Sequence, residues 1–276
     1  MENGKKHFTL RNVASEADQK PAAVRSVYRA VNILVSLSNN INTLNDITSY
    51  TKLSKPTAYR LLKTLEELLM VTQDPLTHQY HLGPLFNQMA SNPVTNHQYL
   101  INCASEEVKK LWEYSGETVE LNIMVGLQYI RLYEIPSKYD LKVVSGPDPV
   151  GPIFVGATAR LLLSQLEDED FRAALKHINI PRITEQSVVD KREIASRAEE
   201  IRRSGYATSY GERIAGALCI SARIDNYFWP VALSLIGPES RLKPTEQQAI
   251  AEVKTSAARV SANIKEFFRA KGVIAE

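Results

Sequence analysis

The first third of the chain contains three apolar repeats of helical spacing, and short polar breaks separate them. The first repeat consists of Val27, Ala30, Val31, Leu34 and Leu37. Apolar residues three and four positions apart line one side of a helix, so this repeat predicts an amphipathic helix. Thr43 and Asp46 then form a capping pair, which predicts a second and shorter helix.

The third repeat predicts a helix from about Ser54 to Leu69 with one apolar and one polar face. Ser54 suits the N-cap, and Pro56 falls in the first turn, where its missing N–H breaks no helical hydrogen bond. The predicted apolar face consists of Ala58, Leu61, Leu62, Leu65 and Leu69. The opposite face carries Tyr59, Arg60 and Lys63.

A short hairpin is predicted directly after the third helix. Residues 70–73 and 80–82 have strand character, the turn 74–77 between them contains a proline, and Gly83 ends the segment. Three helices followed by a hairpin predict a winged helix-turn-helix.

Positive charge is concentrated in this region, although the net charge of the whole chain is only +2. Residues 47–65 include four basic residues, Lys52, Lys55, Arg60 and Lys63, and no acidic one. Attraction to DNA phosphates depends on nearby charge, so the cluster predicts a nucleic-acid contact. The alternative is an ordinary solvated helix face.

The remainder of the chain predicts an α+β domain with an antiparallel sheet. Strands are expected at 119–125, 129–135, 218–224 and 231–236, and helices at 157–166, 191–203 and 245–269. The predicted organisation is a disordered tail at 1–22, a winged helix-turn-helix at 23–83, a linker helix at 84–97 and a second domain at 98–276.

Several classes of protein are not expected. The chain has no run of eighteen apolar residues, and its first ten residues lack the apolar core of a secretion signal, so we expect a cytoplasmic protein without a membrane partner. Cys103 and Cys219 lie far apart and match no metal-ligand spacing. No nucleotide-binding fingerprint is present either, so no cofactor or metal is predicted.

Strings of residues along most of the chain resemble the IclR-type family of bacterial transcriptional regulators. They lie at 26–30, 53–62, 80–83, 155–163, 205–209, 211–212, 216–220 and 232–238. The resemblance implies a GAF-like effector-binding domain behind the winged helix. It also implies homodimers or homotetramers on near-palindromic double-stranded DNA operators, and no enzymatic activity.

Several residues depart from the family pattern, among them Arg160, which replaces a usual lysine. Lys52 and Leu69 stand where the family usually has glycine. A non-glycine residue in the left-handed conformation costs about 1 kcal/mol, so the third helix is expected to end differently here.

The predicted DNA-binding residues centre on the third helix. Thr57 and Arg60 match family positions that contact DNA, and the geometry of Arg60 suits guanine or phosphate. Further candidates on the same helix, the first helix and the hairpin are Ser54, Lys55, Tyr59, Lys63, Arg25, Arg29, His78 and Gln79.

The predicted effector site lies in the second domain. The resemblance implies that Ser209, Cys219 and Ser234 contact a small organic acid, either a carboxylate or an aromatic acid. Gly156, Ala157 and Thr158 lead into a helix whose free N–H groups are expected to bind a carboxylate. Alternatively, Cys219 is a small core residue and Ser234 bonds only to the backbone.

Two other functions compete with this interpretation. A hydrolase is one, because the second domain is α+β and contains Ser, Cys and His, but the chain has no G-x-S-x-G elbow and no evident base for Cys219. A winged helix used only for protein contacts is the other, and it predicts no salt-dependent affinity for DNA.

Overall fold

The computed structural model describes residues 24–270 apart from 90–96, 145, 147 and 178–179. The predicted tail at 1–22 and half of the predicted linker, residues 90–96, lie outside the described residues. The chain forms two compact units, Met1–Asn92 and Pro93–Glu276. No helix in the described ranges has both the length and the apolar character needed to cross a membrane.

The first unit is a winged helix-turn-helix, as predicted. Its elements are helices α1 (Arg25–Ser38), α2 (Leu44–Thr51) and α3 (Lys55–Glu67), antiparallel strands β1 (Val71–Gln73) and β2 (Tyr80–Leu82), and the short helix α4 (Leu85–Met89). The core side chains are Ile33, Leu37, Ile47, Leu62, Leu65, Val71 and Tyr80. The capping pair of α2 is confirmed, because Thr43 Oγ1 accepts a hydrogen bond from the Asp46 N–H at 3.2 Å.

The inward face of α1 differs from the predicted one. Val27 and Val31 are 58% and 41% exposed. All the buried residues of α1 lie in its C-terminal half, from Asn32 to Leu37. The spacing of apolar residues predicted which side of α1 is apolar. It did not predict that only the C-terminal half of that side is buried against other elements.

The end of α3 also corrects the sequence-based prediction. Leu69 adopts a left-handed conformation with φ of 57°, as the family glycine would. The Met70 N–H bonds to the Leu65 carbonyl and the Leu69 N–H to the Glu66 carbonyl, at 2.9 and 3.0 Å, which together form a Schellman motif. Leu69 is 56% exposed and does not belong to the apolar face.

The end of α3 is bonded to the segments that follow it. The Gly83 N–H donates to the Met70 carbonyl at 2.8 Å, and the Leu85 N–H donates to the Leu69 carbonyl at 3.1 Å. A side chain at Gly83 would collide with the Leu69 carbonyl oxygen, which explains glycine at this position.

The second unit contains a six-stranded antiparallel sheet in the order β5-β4-β3-β8-β7-β6. The strands are β3 (Thr118–Val125), β4 (Gln128–Ile135), β5 (Val150–Pro152), β6 (Tyr206–Tyr210), β7 (Ala217–Ile224) and β8 (Val231–Pro238). The helices are α5 (Gln98–Ser115), α6 (Ala157–Ser164), α7 (Asp168–His177), α8 (Lys191–Ser204), α9 (Glu239–Leu242) and α10 (Glu246–Ala270), with a 3-10 turn at Lys243–Thr245.

Helices cover both faces of this sheet, and the GAF-like α/β description holds. On one face Val119, Leu121 and Ile123 of β3 join the core formed with α5 and α10. On the other face Met124 joins the core formed with α6, α7 and α8. Strand alternation turns Glu120 to the α6 side as well, where the polar groups of the unit gather.

Candidate nucleic-acid interface and effector cleft

The polar face of α3 is exposed in the first unit. Ser54, Lys55, Tyr59 and Arg60 are exposed, and Thr57 and Lys63 are half-buried. The opposite side of the helix is anchored by Ala58, Leu62 and Leu65, all buried. The helix therefore presents its basic side chains from a rigid support.

One acidic residue, Glu66, reduces the positive charge of this face. Lys63 Nζ lies 2.7 Å from Glu66 Oε2, and this hydrogen-bonded ion pair raises the pKa of Lys63. The acid-free segment found in the sequence ends at Leu65, one residue before Glu66. Lys63 is thus partly neutralised by its neighbour, whereas no ion pair is described for Lys55 or Arg60.

The start of α3 is built differently from the predicted side-chain cap. Ser54 occupies the N-cap position, but its side chain accepts no backbone N–H. Its Oγ lies 2.8 Å from Thr57 Oγ1, and its carbonyl accepts from the Ala58 N–H at 3.0 Å. Two adjacent hydroxyls are therefore exposed to solvent where the helix begins.

The wing and α1 carry the remaining candidates. Asp74 Oδ1 accepts from the N–H groups of Leu76 and Thr77, at 2.8 and 3.1 Å, which tightens the turn and lowers the pKa of Asp74. His78 and Gln79 follow this turn and are exposed. Arg25 and Arg29 are exposed on α1.

A cleft lies over the α6 side of the sheet in the second unit. The space between its lining atoms is about 440 Å³ when the open solvent at its mouth is counted, and only a small part of it is enclosed. Its lining residues are Glu120, Tyr129, Val155, Gly156, Ala157, Thr158, Ser209, Glu212, Arg213, Ile214, Ala217, Cys219 and Ile236. Five of the six predicted effector residues therefore line one cavity.

The first N–H of α6 is already occupied, which corrects the prediction of free N–H groups. The Ala157 N–H donates to Ser209 Oγ at 3.0 Å. Gly156 precedes it with φ of 92° and ψ of 173°, a conformation that essentially only glycine adopts. The backbone here can approach a ligand closely, but a carboxylate must share or replace Ser209 at the Ala157 N–H.

Three hydroxyls form a closed triangle beneath the cleft. Thr158 Oγ1 lies 2.9 Å from Ser234 Oγ and 3.1 Å from Ser221 Oγ, and the two serine oxygens are 2.8 Å apart. Ser234 faces away from Leu233 and Leu235, as alternation predicted. Ser234 is fully buried behind Thr158 and does not line the cleft, so it positions Thr158.

Cys219 is half-buried in the cleft wall. Burial raises the pKa of its thiol, which is therefore protonated near neutral pH. Its hydrogen-bond contacts are the hydroxyls of Thr158 and Ser221, at 3.6 and 3.5 Å. These neighbours are poor bases, so the arrangement suits a packing and contact role for the thiol.

The charged and phenolic groups that line the cleft were not predicted as effector contacts. Glu212 lines the cleft and forms a buried ion pair with Arg160, which also donates to the Thr208 carbonyl at 2.9 Å. Arg213 donates to the Tyr129 hydroxyl, and burial raises the pKa of Tyr129 to about 12. Glu120 could have been found from the sequence, because an acidic residue between Val119 and Leu121 must face away from that core.

Comparison with known families identifies the chain. Residues 93–262 match the C-terminal domain of the bacterial transcriptional regulator IclR, and residues 26–75 match the IclR helix-turn-helix domain. The chain belongs to the IclR family. The chain is similar to the transcriptional regulator KdgR of Escherichia coli K12, with 24% identity over 254 residues that cover 91% of this chain and 96% of KdgR. The repressor AllR of E. coli K12 is 26% identical over 236 residues, covering 83% and 84% of the two chains.

Solved IclR-family structures share the fold. A transcriptional regulator from Rhodococcus sp. superposes with a TM-score of 0.67 at 22% identity, covering 88% of this chain and 95% of its own. An IclR homologue from Microbacterium hydrocarbonoxydans, complexed with 4-hydroxybenzoate, gives a TM-score of 0.57 at 17% identity and covers 87% and 99%.

Proposed function

We propose that this IclR-family chain binds operator DNA through the polar face of α3. We also propose that a small organic acid in the cleft of the second unit controls that binding. The observation that carries the first proposal is the exposed face of α3, with Lys55 and Arg60 on a helix anchored by buried side chains. A helix of this kind fits the major groove of DNA.

The proposed contacts divide by chemistry. Arg60 binds a guanine edge or a phosphate through its guanidinium, and Tyr59 and Lys63 lie on the same face. Ser54, Lys55 and Thr57 bind phosphate at the start of the helix. The flanking contacts come from Arg25, Arg29, His78 and Gln79.

The effector proposal rests on the cleft. Arg213 and the hydroxyl of Ser209 lie in its wall and suit an organic acid, either a carboxylate or an aromatic acid. Gly156, Ala157, Thr158 and Cys219 complete the proposed contacts, with Ser234 acting through Thr158. The effector changes DNA affinity only to the extent that it binds the DNA-competent state with a different affinity from the other state.

The organisation and setting of the protein are also proposed. The DNA-binding domain comprises 23–83, the linker 84–97 and the effector-binding domain 98–276. We propose a cytoplasmic homodimer or homotetramer that binds a near-palindromic double-stranded operator, with no catalytic activity.

The test is DNA binding by the full chain. Footprinting upstream of its own and neighbouring genes locates the operator, and fluorescence anisotropy then gives the affinity at several salt concentrations. Arg60→Ala should weaken operator binding by about 1–3 kcal/mol without unfolding the protein. The matched control is Arg172→Ala, which removes an exposed arginine from α7 and should leave the affinity unchanged.

Effector control is measured in the same assay by adding organic acids. We expect at least one acid to change the operator affinity several-fold. Operator affinity that is independent of salt and of Arg60 would contradict the DNA-binding proposal. An affinity unaffected by every acid would contradict the effector proposal alone.

A further inference from the structure

Glu120 is a buried carboxylate in the wall of the cleft with one oxygen atom unsatisfied. Its side chain is 2% exposed, and its Oε2 accepts from Asn122 Nδ2 at 3.2 Å. Its Oε1 accepts no hydrogen bond. A buried carboxylate oxygen without a partner is costly, so such an atom in a cavity wall indicates a missing hydrogen-bond donor.

The nearest cation does not fill this role. Arg131 Nη1 lies 3.7 Å from Glu120 Oε1, outside hydrogen-bond distance. The same guanidinium has its Nε 2.9 Å from Glu134 Oε2 and donates to the Gly146 carbonyl at 2.8 Å. One arginine therefore lies between two carboxyl groups and makes no hydrogen bond to Glu120 Oε1.

The hydroxyls near Glu120 do not fill this role either. Thr158, Ser221 and Ser234 each have one hydroxyl proton, and their side-chain contacts are with one another and with Cys219 Sγ. None of these hydroxyls bonds to Glu120 Oε1. Glu120 therefore remains an acceptor without a donor in the wall of the cleft.

The same wall also carries hydrogen-bond donors. Arg213 has a guanidinium, and the Ser209 hydroxyl accepts from the Ala157 N–H, which leaves its own proton to donate. Burial raises the pKa of Tyr129, Arg213 opposes this shift and Glu120 adds to it, so both charged groups lie near the same phenol. The wall therefore presents a cation and an unsatisfied acceptor to one ligand.

We infer that the effector is a small carboxylate that also carries a hydrogen-bond donor, a hydroxyl or an ammonium group, and that Glu120 selects for this donor. The inference rests on the proposed effector function of the cleft. The carboxylate of the ligand faces Arg213 and Ser209, and its donor bonds to Glu120 Oε1. Acids without a donor leave Glu120 unsatisfied and bind weakly.

The test compares acids that differ only in the donor. Propionate, lactate and alanine form one set, and butyrate, 3-hydroxybutyrate and 3-aminobutyrate form another. Calorimetric titration of the full chain should show that an acid with a donor binds at least tenfold more tightly than the matching acid without one. The comparison of lactate with alanine separates a hydroxyl from an ammonium preference.

Variants assign the preference to Glu120. Glu120→Gln keeps the shape but loses the charge, and should reduce the preference for the donor-bearing acid at least tenfold. Glu134→Gln is the matched control, because it also removes a carboxylate beside Arg131 but does not line the cleft. If circular dichroism shows that Glu120→Gln is unfolded, Glu120→Asp replaces it in the test. Glu120→Asp shortens the side chain by one methylene and so moves the carboxylate away from the ligand.

The outcomes separate this inference from the effector proposal. Equal binding of plain and donor-bearing acids, or an unchanged preference in the Glu120 variant, overturns the inference and leaves effector control intact. Binding of no acid in either set overturns the inference, and the operator assay with a wider range of acids then decides the effector proposal separately.

Discussion

At the scale of single residues, Leu69 combines an unfavourable backbone conformation with little burial. Its φ is 57°, and its side chain is 56% exposed. The left-handed conformation costs an L-residue about 1–2 kcal/mol, and glycine avoids this cost but is more flexible in the unfolded chain. We expect Leu69→Gly to raise the free energy of unfolding by about 0.5–1 kcal/mol, measured by urea denaturation.

Leu68 provides the matched control for this prediction. It is also 56% exposed, but its φ is −84°, so glycine relieves no strain there. Leu68→Gly should therefore lower the free energy of unfolding. If both variants are destabilised equally, the conformational argument for Leu69 is wrong.

The hydrogen-bond partners of individual side chains were harder to predict than the polar and apolar faces of helices. The sequence predicted the polar face of α3, because 100° per residue places Tyr59, Arg60 and Lys63 together. It did not predict the hydrogen bond from the Ala157 N–H to Ser209 Oγ. These two residues are 52 positions apart in the sequence and meet only in the folded chain. Most cleft residues that were missed, such as Arg213 and Tyr129, depend on the same long-range assembly.

At the scale of elements, the hydroxyl of Thr158 fastens α6 to β7 and β8. Thr158→Val keeps the shape of the side chain but leaves Ser221 and Ser234 with only each other as partners in the triangle. We expect a loss of about 1–3 kcal/mol in the free energy of unfolding, together with weaker acid binding. Thr158→Ser restores the hydroxyl and should lose less, and equal losses in the two variants would exclude the hydrogen bonds as the cause.

Eight of the predicted elements have clear local periodicity and are present in the structure. Strands β3, β4, β7 and β8 and helices α3, α6, α8 and α10 all lie near their expected positions. Helices α5 and α7 and strands β5 and β6 were not predicted. β5 is hard to predict because it has only three residues and contains glycine and proline. It forms by pairing Gly151 with Tyr129, where any side chain on Gly151 would collide with the tyrosine ring.

At the scale of the whole molecule, the proposed assembly makes a prediction about operator geometry. Two copies of α3 that read a near-palindromic operator must be about 34 Å apart, one turn of DNA. We expect an insertion of about five base pairs between the half-sites to weaken binding at least tenfold, and one of about ten to restore part of it. Sedimentation of the complex should give an even number of chains for each operator.

A linker that is fully flexible would give a different result. Both insertions would then weaken binding gradually and to a similar extent, and the proposal of a fixed pair of reading helices would be wrong. Gel-shift titration of the three operator spacings against wild-type protein is sufficient to separate these outcomes.

The backbone bonds at the end of α3 have a mechanical consequence. The carbonyl of Leu69, the residue that closes α3, accepts the N–H of the first residue of α4. The start of α4 is therefore tied directly to the closing turn of α3. We expect a displacement of the chain at Leu85 to be felt first at the end of the helix proposed to read DNA, before it reaches the core of the winged helix.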